Sequence, residues 1–356
     1  MQQLPDQSER SDTTREVKSN SLMLIAEGIG AYFGKLPVAL QKNVTKALGH
    51  LLGVPMAYLD GVASELKAVS AARVKVTEAM GLELAKSVKV DSELAEIATA
   101  THANKILRHQ KNSIKVLKYA AEEMENVQLR NRIEPSLSPE PSAIEFEEIS
   151  DDWLNAFEAE AVNMSSEQMQ RLFGKMLAGE INRPSTFSIR TIKLMGQMDS
   201  DVAGIFRKFC SISSSCQVSK TMVVDGRVIV FKRAGSGSLH DFGLPHSDLL
   251  TLEEYGLLVD VQPQSFPYDI CILRTEVDDR PKIALTYNER KYVLIPESPK
   301  TSADFDRLDV YGIGLSRVGR ELLTVVESQE NENYTAALVN YFKSLGLRFY
   351  EIPENL

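Results

Sequence analysis

Apolar side chains recur every three or four positions through roughly the first two hundred residues and give way to short β-prone runs beyond Cys210. This change of period predicts mainly α-helical N-terminal and central parts followed by an α+β C-terminal domain. The clearest helix carries Met169, Leu172, Phe173, Met176, Leu177 and Ile181 on one face, with Ser165 and Gln168 as a capping box before it and Pro184 stopping it. Upstream, Ile106, Ile114, Leu117, Ala121 and Met124 form a stripe over 92–126, and Leu66, Val69, Ala72, Val76 and Met80 form another over 64–80. An αα-hairpin of the two is the economical reading. Pro37 suits the start of a helix bearing Val44, Ala47, Leu48, Leu51 and Leu52, and shorter helices are expected around Trp153, Phe157, Ile192 and Phe206.

In the C-terminal part, 217–224 and 227–232 are β-prone and joined by Asp225-Gly226, which predicts a hairpin with its turn there. A Gly/Ser-rich loop over 234–245 precedes a helix to Leu258 that Ser247 or Asp248 can cap. Strands are expected at 269–274, 282–287, 291–295 and 348–352, with helices at 316–326 and 334–345 between them. Residues 1–20 are polar and aperiodic and read as a disordered tail. Pro135, Pro139 and Pro141 among Glu134, Glu140, Glu145, Glu147 and Glu148 read as a stiff acidic linker. The expected organisation is a helical domain (21–129), that linker (130–150), a helical motif domain (151–211) and the α+β domain (212–356).

Composition narrows the class. The chain has 356 residues, 43% of them hydrophobic and 25% charged, which excludes collagenous, low-complexity and wholly disordered proteins. A net charge of −9 repels nucleic acid and anionic lipid on average, so either partner would need a local basic patch. The three cysteines, Cys210, Cys216 and Cys271, lack the spacing of a disulfide framework and are expected to be buried thiols of a cytoplasmic protein. No secretory signal is read in the first twenty residues, and no segment approaches the ~20 apolar residues of a transmembrane span.

One such patch exists: Lys105, Arg108, Lys111, Lys115 and Lys118 fall on one helical face opposite the apolar stripe. It reads as a solvated face or as a dock for an acidic partner, nucleic acid or anionic lipid. The glycine-punctuated segment 22–59 suits a helical core or, as the alternative, peripheral membrane contact. His240, Asp241 and His246 could in principle hold a metal, but a third ligand cluster is missing, so neither metal nor cofactor is expected. No zincin, nucleophile-elbow, phosphate-loop or dinucleotide motif occurs, which weighs against an enzyme.

The run Trp153-Leu154, Ser165-Ser166-Glu167-Gln168-Met169-Gln170, Phe173-Gly174-Lys175, Leu177-Ala178-Gly179-Glu180-Ile181 and Phe187-Ser188-Ile189-Arg190-Thr191 resembles an uncharacterised bacterial family, a domain of unknown function. The chain departs from the family pattern at Ser185-Thr186, where Gly-Ser is usual. The resemblance implies no catalytic residue, and the family's general character points to bacterial stress or phage defence. Gly174 and Gly179 inside the best helix each cost about 1 kcal/mol against Ala, which suggests close approach by another backbone. Arg171, Lys175, Glu180 and Arg190 would surround that contact, as a subunit interface or as core packing, and Trp153 is a further interaction candidate. The C-terminal part is also similar to a winged-helix layout, with Glu254-Tyr255-Gly256-Leu257-Leu258 closing one helix and Leu315-Ser316-Arg317-Val318-Gly319-Arg320-Glu321-Leu322 opening another. Such modules bind DNA or proteins, and Asp248, Glu253 and Glu254 favour protein. The expected function is that of a cytoplasmic interaction or scaffold protein that self-associates or docks a protein partner. The alternatives are a nucleic-acid-binding regulator and a membrane-associated effector.

Overall fold

A computed structural model of the chain describes residues 36, 38–52, 79, 92–133, 147–218, 222–231, 236–275, 278–298 and 308–352. Its contacts divide it into two compact units, 1–196 and 197–356.

The first unit is helical: α1 (Val38–Leu52), α2 (Ser92–Ile133), α3 (Asp151–Ala161), α4 (Glu167–Asn182) and α5 (Ile189–Gln197). Its core is built from Val116, Leu117, Ala120 and Met124 of α2, Phe173, Met176, Leu177 and Ile181 of α4, and Val44, Ala47, Leu48 and Leu51 of α1, all buried. From α3, Phe157 stacks on Trp153 (centroids 4.9 Å apart) and meets Phe173 at 5.4 Å. Because α3 and α4 complete the core of α1 and α2, the division falls at 196/197 rather than at the acidic stretch. The end of that stretch is tied to α1. Asn43 Nδ2 donates to the Glu147 and Ile181 carbonyls, both at 3.3 Å, and its Oδ1 accepts from Ile149 N at 3.2 Å. Lys46 pairs with Asp151 at 2.8 Å, and Lys42 with Glu148.

The helix expected over 64–80 lies, but for Ala79, outside the described residues, and the main described partner of α2 is α4. The cap of α4 is Ser166, one residue later than expected, accepting from Met169 N at 3.3 Å.

The second unit opens with α6 (Ser200–Ser211) and continues β1 (Ser214–Val218), β2 (Met222–Ile229), a 3-10 turn (Ser236–Phe242) and α7 (His246–Glu254). Then come β3 (Gln264–Pro267), a second 3-10 turn (Tyr268–Cys271), β4 (Ile272–Thr275), β5 (Asp278–Tyr287), β6 (Arg290–Pro296) and β7 (Asp309–Gly314). The unit closes with α8 (Arg317–Leu323), α9 (Glu332–Ser344) and β8 (Leu347–Glu351). The described strands form one sheet in the order β3-β7-β2-β1-β5-β6-β8, with β4 also on β5, and every described pairing is antiparallel. An α+β C-terminal part is therefore shown.

Two strand expectations need correction. The β1–β2 hairpin forms, but Cys216 pairs with Val224 and Val218 with Met222, so Asp225-Gly226 lies inside β2 and not at its turn. A Cβ at Gly226 would collide with the side chains of Leu315 and Leu323, so the missing side chain serves packing beneath α8. Among the described residues, a left-handed two-residue turn is found at Asn288-Glu289 (φ 47° and 62°), between β5 and β6. Strands β3 and β7 were not foreseen, because β3 has four residues and Gly312 and Gly314 dilute β7.

The cysteine expectation is corrected as well. Cys210 is a buried thiol, but Cys216 and Cys271 are joined as a disulfide with Cα atoms 6.3 Å apart. Strand β5 brings them together: β1 pairs with it at Leu285–Tyr287 and β4 at Asp278–Ile283, so both cysteine-bearing segments line the same edge end to end. A separation of 55 residues hid this neighbourhood.

Candidate functional site

Helix α2 is 42 residues long, about 63 Å at the α-helical rise, and among its described side chains the buried ones lie from Asn112 onward. Lys105, Arg108, Lys111 and Lys118 are exposed on it and Lys115 is half-buried. Lys118 is engaged by Glu122 one turn on, at 3.6 Å. No ion pair to Lys105, Arg108 or Lys111 occurs among the described residues, so the open part of the row is a stretch of about 9 Å. Its field is felt locally: burial first, and then Lys105 and Arg108, pull the pKa of His109 below 6.5. Ile97 and Leu107 stand 56% and 39% exposed on the same half of the helix.

The motif residues do different work. Trp153 is buried and its Nε1 donates to the Phe187 carbonyl at 2.8 Å. Glu180, 2% exposed, accepts from Ser185 N at 2.7 Å through one carboxylate oxygen and from Phe187 N at 3.0 Å through the other. Ser185 has φ 67°, in the left-handed region where a glycine would sit without strain. Ser188 Oγ then accepts from Thr191 N at 3.3 Å and opens α5. The motif thus builds a tight connection from α4 to α5. Arg171 is exposed, pairs with Glu167 at 2.9 Å and covers the Tyr119 ring at 4.5 Å. Lys175 is half-buried and Arg190 exposed. Gly174 abuts the backbone of α2 and Gly179 the ring of Phe187, so one glycine admits a helix and the other an aromatic side chain.

His240 and Asp241 are exposed on the first 3-10 turn and His246 is exposed at the start of α7. Among the described residues no group of three or more His, Cys, Asp or Glu could hold a metal ion.

A polar cavity of about 70 Å³ in the second unit escaped the sequence reading. Arg227 of β2 is 8% exposed, its Nη1 donates to the Gln264 and Gly312 carbonyls at 3.3 and 3.2 Å, and its guanidinium lies 4.6 Å from the centre of the Phe266 ring. Gly312 leaves the lane that the arginine stem occupies, since a Cβ there would stand 2.8 Å from Arg227 Cγ. Asp260 and Arg320 line the other walls. The available signal was an arginine at the head of the apolar run Val228-Ile229-Val230.

The class defined by this architecture is a helical unit followed by an antiparallel α+β unit. The chain belongs to the family described as a protein of unknown function, DUF2806, whose model matches residues 104–339. No curated protein and no solved structure matches it.

Proposed function

We propose that the protein acts by binding, as an interaction protein that docks an acidic protein segment on the exposed half of α2. The observation that carries this reading is the row Lys105, Arg108 and Lys111, open to solvent beside the exposed Ile97 and Leu107. Apolar anchors rimmed by cations favour a protein partner carrying both carboxylates and apolar side chains. The net charge of −9 favours that partner over nucleic acid, which would feel repulsion from the rest of the chain. A winged-helix role for the second unit gains little from the pairing of β3 with β7 in place of a local hairpin. The membrane alternative loses part of its segment, because Val44, Ala47, Leu48 and Leu51 of α1 are buried in the first unit, and no described helix is long and apolar enough to cross a bilayer.

The test is affinity capture from the native host with protein and nucleic acid both identified, using the full chain and its K105E/R108E/K111E variant. These side chains are exposed, so the variant should keep the thermal stability of the parent. An acidic protein retained by the parent, released by salt and lost by the variant supports the reading. Capture that is unchanged in the variant, or recovery of nucleic acid in place of protein, overturns it.

A further inference from the structure

We propose that strand β8 is a dimerisation edge, pairing antiparallel with β8 of a second copy of this chain. Among the described strands the sheet ends on β3 at one side and on β8 at the other. Strand β3 has four residues and closes on Pro267, which blunts it as a template, whereas β8 runs Leu347–Glu351 without a proline. Its register on β6 fixes which backbone groups point outward. Ile352 N donates to the Lys291 carbonyl at 2.8 Å and Glu297 N to the Gly346 carbonyl at 2.9 Å, so Arg348 and Tyr350 between them turn their backbone groups to β6. The N–H and C=O groups of Leu347, Phe349 and Glu351 then point outward in the plane of the sheet, and no partner for them occurs among the described residues. Helix α9 leaves them open, because it packs on a face of the strand, where its Phe342 meets Phe349 with ring centroids 5.6 Å apart.

This edge is complementary to itself. A two-fold axis normal to the sheet keeps each face on its own side, so every residue lies opposite one an even number of positions away. Centred on Phe349, the pairing sets Phe349 against the partner's Phe349 and Leu347 against the partner's Glu351, and each of these outward-facing pairs exchanges both backbone hydrogen bonds. On the exposed face it sets Arg348 against the partner's Tyr350, so a guanidinium meets a phenol ring and no like charges oppose. Sliding the partner to the next even register in one direction opposes Arg348 to the partner's Arg348. In the other direction it opposes Leu347 to the partner's Pro353, which has no N–H to give. A foreign strand would have to match this alternation, whereas a second copy carries it. The strand is short, so the interface is smaller than a standard one and the dimer is weak. The edge lies wholly in the second unit, so the proposal stands or falls independently of docking on α2.

Sedimentation equilibrium of the full chain over a range of concentrations tests the proposal, and a reversible monomer–dimer equilibrium is expected. Glu351 is exposed and its N–H faces outward, so Glu351→Pro costs β8 no internal backbone bond but removes a donor from two of the paired positions, and dimerisation should be lost. Tyr350→Lys, also at an exposed position, opposes two cations on each side of the axis and should weaken the dimer roughly tenfold. Circular dichroism checks that both variants melt as the parent does. Amide hydrogen exchange in the parent gives a readout that needs no variant: on raising the concentration, the amides of Leu347, Phe349 and Glu351 should slow while those of Arg348 and Tyr350 stay as they were. The K105E/R108E/K111E variant should dimerise like the parent, which separates this edge from α2. A parent that stays monomeric at about 100 μM overturns the proposal. So does a dimer that either β8 variant leaves intact, one that the α2 variant abolishes, or exchange without that alternation.

Discussion

Gly174 of α4 lies so close to Tyr119 of α2 that a methyl group at position 174 would stand 2.5 Å from Tyr119 Cβ and 2.9 Å from the Ala120 backbone nitrogen. Neither neighbour is the far end of a flexible side chain, so the helices themselves would have to move apart. Alanine has the better helix propensity by about 1 kcal/mol, and overpacking a helix crossing costs about 1–3 kcal/mol and sometimes more. Gly174→Ala is therefore expected to destabilise the first unit despite its intrinsic preference, read as a lower denaturant midpoint with an unchanged slope. A stabilised variant would show that the crossing is looser than described.

Glu180 offers a second test on the same helix. Its two oxygens serve two backbone N–H groups of the connection to α5, at 2.7 and 3.0 Å. Glu180→Gln replaces one acceptor by a donor facing a donor, which leaves a buried N–H unsatisfied at a cost of about 1–3 kcal/mol. Urea unfolding should show that loss, and Glu180→Ala should lose at least as much. Surface substitution of Arg190, exposed on α5, should stay within about 0.5 kcal/mol of the parent.

The helical half was legible because burial at a period of 3.6 writes itself into the residues that face the core, as Phe173, Met176, Leu177 and Ile181 show. The tight crossing was legible in Gly174 for the same reason. The sheet was harder. Gly226 carries a turn residue's chemistry but sits in a strand because Leu315, 89 positions on, fills the space of its side chain. The cavity depended on three such distant events at once: β7 beside β2, Gly312 under the Arg227 stem, and α8 delivering Arg320. Local pattern holds no record of pairings at that separation.

The cysteines give a counting test. Cys210 is buried, and burial pushes its thiol far above the ordinary range, so it should be inert towards a thiol reagent in the folded protein. With Cys216 and Cys271 joined, denaturation without reductant should release one reactive thiol, and denaturation after reduction should release three. Three thiols without reductant would show that the pair is not bonded in the isolated protein.

The tyrosines of the second unit set its alkaline limit. The Tyr334 hydroxyl, fully buried, donates to the Ile229 carbonyl and accepts from Ile229 N, both at 2.9 Å, and burial pushes its pKa well above 10.0. Burial likewise pushes Tyr287 up to about 12 and raises Tyr341. In each case the folded state holds the proton more tightly than the unfolded chain. Their contribution is therefore complete below about pH 10 and is lost as pH rises from there through the folded values. The denaturant midpoint, followed from about pH 8 to about pH 11, should fall over the upper part of that range, and phenolate absorbance from these residues should appear only as the chain unfolds. Tyr334→Phe should lower stability at neutral pH by about 1–3 kcal/mol through the orphaned Ile229 N–H, yet give a shallower alkaline decline. A midpoint independent of pH, or native titration of every tyrosine at the ordinary value, would contradict the buried cluster.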